Sequence, residues 1–153
     1  MYYADLTPYE YNLPRPLGNV FNIGWLDDKH PFPKGKVSKT FIEQIIRSLR
    51  FLTVNRMRGV HVCEICFLNG EIGQDQRIYS SEDKTIMLGS SELWFPGKHG
   101  AIYAAPNLIL HYIQKHQYVP PPEFIDAVLE YNWESCWDAV QERNKLVGDI
   151  FRR

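Results

Sequence analysis

The chain has 153 residues, with 17 Lys plus Arg against 18 Asp plus Glu, a formal net charge of −1 and 44% hydrophobic residues. That balance excludes a disordered chain and argues against a general nucleic-acid or membrane-surface binder, which is basic overall. The length suits a single domain over residues 1–153, and no apolar run approaches the ~18–20 residues a membrane helix needs.

The chain opens on MYYADLTPYEY, which has neither a basic nor an apolar stretch, so no secretory leader is expected. Residues 1–36 are rich in Pro and Gly, which disfavours long helices. They read as an irregular wrapping segment around one strand at residues 20–26, VFNIGWL.

Residues 40–52, TFIEQIIRSLRFL, carry an apolar stripe at helical spacing, with Thr40 as the cap and Glu43 placed for a capping box. Residues 59–68 and 85–104 read as strands. Within the second, TIMLGSSELWF and ELWFPGKHGAIYA look like two linked hairpins. Residues 69–84 form a long polar connection, expected to be mobile.

Pro106 is placed to open a short helix, PNLILHYIQKH, which QYVPPP ends. Residues 122–147 read as an amphipathic helix, or a helix pair kinked near Asn132. Ile125, Leu129, Trp133, Cys136, Trp137 and Val140 share its apolar face, which makes Cys136 a core residue. Short strands and separate helices without βαβ alternation predict an α+β fold. The expectation is a small antiparallel sheet of hairpins packed by one central helix and the C-terminal helices.

The densest chemistry lies in HVCEIC, which puts His61, Cys63 and Cys66 within six residues. A CxxC pair can aim two sulfurs at one ion, and structural zinc takes four Cys or His ligands. His111 and His116, in HYIQKH, supply the second half at a spacing known for zinc-binding His pairs. Five positions on an ideal helix place the two rings about 140° apart, so the pair works best where the helix ends early. His61 is the alternative ligand, in a site with Cys63, Cys66 and one of the two later histidines. Against this stands the plain reading that Cys63 and Cys66 are small buried hydrophobes.

A thioredoxin-like redox pair would need CxxC at a helix N-terminus in a βαβ unit, a context the sequence does not offer. The zinc-deaminase, H-E-x-x-H, G-x-S-x-G and phosphate-loop patterns are missing from the sequence, so a binding role ranks above an enzymatic one. The acidic pair Asp27-Asp28 reads as a solvated turn, with metal binding the minor alternative. Three cysteines do not make a secreted disulfide framework, and the expected compartment is the cytoplasm.

Charge is uneven along the chain. Arg47, Arg50, Arg56 and Arg58 belong to a basic block at residues 34–60, while the last helix is acidic on its polar face. The block admits nucleic-acid binding as an alternative function. The acidic face equally suits docking to a basic protein partner.

YYADLTPYEY, FNIGWLDDKHPFPKG, RGVHVCEIC and IYAAPNLILHYIQKHQYVPPPEF, in that order, resemble a family of small uncharacterised bacterial proteins. Its pattern H-x-C-x-x-C … H-Y-x-x-x-H is matched here by His61, Cys63, Cys66, His111, Tyr112 and His116. The resemblance covers most of residues 2–130, least so the stretch 69–84, and implies a bacterial, cytosolic protein, with no activity attached. The expected function is a non-enzymatic protein with a structural zinc ion and a protein partner. An immunity-protein-like inhibitor of a toxin is one form of it, and a cysteine- or metal-dependent enzyme is the weaker alternative.

Overall fold

The computed structural model describes residues 1–71, 76–79 and 85–152. In chain order it forms β1 (Pro8–Tyr9), β2 (Leu17–Asn22), α1 (Lys39–Phe51), β3 (Thr53–Val54) and α2 (Glu64–Leu68). β4 (Arg77–Tyr79), β5 (Thr85–Met87), β6 (Glu92–Pro96) and β7 (Ile102–Pro106) follow, then α3 (Ile109–His116), α4 (Pro122–Leu129) and α5 (Ala139–Phe151). The fold is α+β with a small sheet, as the pattern of short strands and separate helices predicts.

The main sheet has the order β1-β2-β7-β6-β3. β6 and β7 form the predicted hairpin, with Trp94 opposite Ala104 and Phe95 opposite Tyr103. The sheet is mixed, not antiparallel throughout: β2 runs parallel to β7, with Val20 opposite Ile102. A run of apolar residues specifies a strand but not its neighbour, and this pairing joins segments 82 residues apart.

Both faces of the β6–β7 hairpin are covered, which explains why residues 92–95 and 102–105 are all buried. On one face Phe95 and Tyr103 meet Phe124 of α4 at centroid distances of 5.8 and 6.1 Å, and Phe41 of α1 packs on the same ring at 6.1 Å. On the other face Tyr9 sits edge-on to Trp94 at 5.4 Å, and the Trp25 indole N–H donates to the Ala104 carbonyl at 3.1 Å. Edge-to-face rings of this kind favour specific packing beyond their buried area.

Several elements differ from expectation. α1 is capped by Ser38, whose Oγ accepts from the Phe41 N–H at 3.1 Å; Glu43 faces Lys39 at 3.9 Å and does not close a box with Thr40. Residues 59–63 join no strand ladder and residues 64–68 are helical, because the Cys63 carbonyl accepts from the Phe67 N–H and starts a turn. β5 pairs with β4 and not with β6, so the first expected hairpin does not form. β4 itself lies inside the supposed polar connection, whose residues 72–75 and 80–84 fall outside the described residues.

Pro106 ends β7 and does not open α3. Of the two readings for residues 122–147, one helix or a pair broken near Asn132, the pair is the one that forms. The Asn132 side chain accepts from the Glu134 N–H, and Asp138 caps α5 by accepting from the Gln141 N–H. Local side-chain bonds of this type compete with helix continuation. The residues assigned one apolar face therefore diverge: Leu129, Cys136 and Val140 are exposed, so Cys136 is not core.

Candidate metal centre

Cys63 occupies the N-cap position of α2 and Cys66 lies in its first turn. Three positions along a helix return to nearly the same face, so both thiols point the same way. α3 supplies the imidazoles: His111 lies within it, and His116 is its last residue before Gln117 turns left-handed at φ 60°. Helix termination at this point is what the five-residue spacing requires. The two rings stand 5.2 Å apart between centroids.

The four donor atoms converge. Cys63 Sγ lies 3.3 Å from His116 Nε2, and Cys66 Sγ lies 3.3 Å from His111 Nε2 and 3.2 Å from His116 Nε2. One ligand atom from each of the four residues falls within 4.8 Å of all the others. A zinc tetrahedron of two sulfurs and two nitrogens has edges of about 3.3–3.8 Å. The group can thus hold a metal ion. Cys63, Cys66 and His111 are buried, and His116 is half-buried beside a surface groove of about 690 Å³ that Lys29, Lys34 and Leu68 also line.

Burial sets the electrostatics. It pushes the Cys66 thiol up to about 12, with the neighbouring Cys63 adding to the rise. It also holds His116 below the usual imidazole range, helped by the Lys115 charge, which favours the neutral ring that metals bind. Lys115 reaches Glu71 at 3.2 Å, and the Glu71 N–H donates to the Cys66 carbonyl.

Residues 1–129 match the family described as Domain of unknown function (DUF7919). The chain belongs to that family. The DUF7919 match contains all four converging residues and ends with α4, leaving α5 outside it. No curated protein matches the chain, and no solved structure matches it.

In this DUF7919 chain the loop before α2 is held by residues that sequence patterns do not single out. The buried Gln76 side chain accepts from the Cys63 N–H at 3.1 Å and donates to the His61 and Leu88 carbonyls at 3.1 and 3.2 Å. Asn107, just before α3, accepts from the Gly89 N–H at 2.6 Å and donates to Ser91 Oγ at 2.9 Å. The Gly89 carbonyl in turn accepts from the His61 N–H. Both halves of the centre are thus tied to one turn at residues 87–91. Gln76 belongs to the polar stretch 69–84, where a glutamine gives no sign in the sequence that it will be buried.

The other candidates fall elsewhere. His61 is exposed and is not one of the four converging residues. Its loop leads the chain past the centre and its side chain lines a separate cavity. CxxC does begin a helix here, contrary to expectation, but α2 is five residues long and no strand precedes it within residues 55–63. Asp27 is buried, not solvated: its Oδ1 accepts from the Lys29 and His30 N–H groups, and the His30 ring stands 2.9 Å away.

Arg47 lies over the Trp133 ring at 4.3 Å. Arg50 and Arg56 line a common groove of about 630 Å³, while Arg58 is exposed and lies outside its lining. No helix among the described residues is long and apolar enough to cross a membrane.

Proposed function

We propose that Cys63, Cys66, His111 and His116 hold a structural zinc ion in a non-enzymatic protein whose role is to bind a protein partner. The observation that carries the zinc reading is the convergence of two thiols and two imidazoles from separate helices. Soft sulfur with imidazole in a four-ligand set suits zinc, and four protein ligands leave no open position for a substrate. Cys63 is 1% exposed, which does not suit a nucleophile.

The partner reading is supported by the surface around the centre. Val60, Val62, Phe67 and Leu68 are exposed by 44, 44, 62 and 65% within nine residues of sequence. α2 buries little besides Cys66, so zinc serves to fix this apolar surface in place.

Elemental analysis of untagged protein tests the metal: about one zinc per chain is expected, and none in a C63S/C66S double variant. A different metal, or the same zinc content in the variant, overturns the reading. Crosslinking in cells with a photoreactive group at Leu68 tests the partner. A crosslinked protein lost on Phe67→Asp is expected, whereas no crosslinked protein, or crosslinking to nucleic acid alone, would overturn the partner reading.

A further inference from the structure

Glu92, the first residue of β6, is 3% exposed. The Tyr9 hydroxyl donates to its two oxygens at 2.8 and 3.2 Å, and the Asn55 amide also donates to Oε2. An ionised carboxylate has about four acceptor sites; Tyr9 and Asn55 fill two, and the buried Trp94 indole N–H, which has no other partner among the described residues, lies close enough to favour the charge. Both donors are neutral. Among the described residues no cation stands in ion-pair contact with Glu92; Arg143 of α5 lends it favourable charge without such a contact. A buried carboxylate with no cation in direct contact is costly.

Glu92 also lines a cavity of about 60 Å³, room for about two waters. Tyr11, Trp25, Leu108 and Tyr112 are among its lining residues, with His61 and with Met1, whose ammonium group is already paired with Glu64 at 2.8 Å. Of the lining residues Leu108 and Tyr112 are buried, while Met57 is 46% exposed, its sulfur 3.5 Å from the Tyr11 hydroxyl. Rings and a desolvated carboxylate together attract an organic cation, through the ring quadrupoles and through charge-assisted hydrogen bonding. We propose that this cavity binds a small organic amine whose ammonium group pairs with Glu92. The inference is independent of the zinc reading.

The probe is n-butylammonium chloride, with butan-1-ol as its neutral isostere, titrated into purified protein while the Trp25 indole and Gly89 amide are followed by NMR. Saturable shifts with the amine are expected, at least tenfold weaker with the alcohol and at least tenfold weaker in E92Q. M57W, which puts a bulkier side chain at an exposed lining position, is expected to abolish the shifts while the melting temperature holds. That variant keeps the test decisive if E92Q folds poorly. Absence of binding, equal binding of the alcohol, or unaltered binding in a folded M57W overturns the proposal.

Discussion

His61 and Gly89 touch backbone to backbone: the His61 N–H donates to the Gly89 carbonyl at 2.8 Å, and a Cβ on Gly89 would overlap the His61 carbonyl oxygen. Gly89 also sits at φ +98°, a conformation that L side chains rarely adopt. The loop that delivers Cys63 to the centre therefore rests on a position that admits no side chain.

Gly89→Ala is expected to cost about 2–4 kcal/mol, from strain at positive φ and displacement of the His61 backbone. Because Cys63 is two residues away, metal affinity should fall as well. Chemical denaturation and zinc competition against a chromophoric chelator measure the two effects. An alanine variant with unchanged metal affinity would show that the contact does not position Cys63.

Gln76 acts through Cys63 without touching the ligand cluster. Replacing it with Leu leaves the Cys63 N–H and the His61 and Leu88 carbonyls without their partner, at about 1–3 kcal/mol for each group that stays dry. Q76L is expected to lose amide protection at Cys63 in hydrogen exchange and to bind metal more weakly. Q76E, which keeps the acceptor, should retain part of the protection. Equal protection in wild type and Q76L would rule out the clamp.

Removal of the metal is expected to loosen the molecule locally. Residues 55–68 contribute few buried side chains, mainly Cys63 and Cys66, whereas Trp94, Phe95, Phe41 and Phe124 pack without the centre. Chelation should therefore open residues 55–71 to proteolysis while amides of β6 and β7 stay protected. Global unfolding on chelation, or no new cleavage in that segment, would contradict this expectation.

Glu92 gives stability a pH dependence whose sign is fixed. Burial raises its carboxyl from 4.5 to about 7, against the opposing hydrogen bonds from Asn55 and Tyr9. The folded chain then holds the proton more tightly than the unfolded chain. The contribution is full below about 4.5 and is lost as pH rises through about 7, on the order of 3 kcal/mol. Asp5, also raised by burial, adds a slope of the same sign. Urea titrations between pH 4.5 and 8 should show wild-type stability falling with pH and a much flatter profile for E92Q. An equally steep profile in E92Q would remove Glu92 as the cause.

What the sequence determined by itself is local. Periodicity defined α1 to within a residue at each end, since its apolar stripe needs no partner to be seen. The ELWFPGKHGAIYA hairpin and the breaks around QYVPPP followed from Gly and Pro chemistry. The spacing of CxxC and H-Y-x-x-x-H named the four residues whose donor atoms converge, because ligand spacing is a property of the chain.

Tertiary structure decided the rest. Which strand lies beside β2 depended on β7, far along the chain, and periodicity carries no address for a partner. Whether HVCEIC became strand or helix N-terminus was settled by contacts to Gln76 and Gly89, both remote in sequence. His61, the alternative ligand, is exposed and lies outside the four converging residues, because its backbone is held against Gly89. Glu92 looked like the polar start of a strand; its burial against Tyr9 and Asn55 exists only once β1, β3 and β6 are brought together, since desolvation is a property of the packed chain.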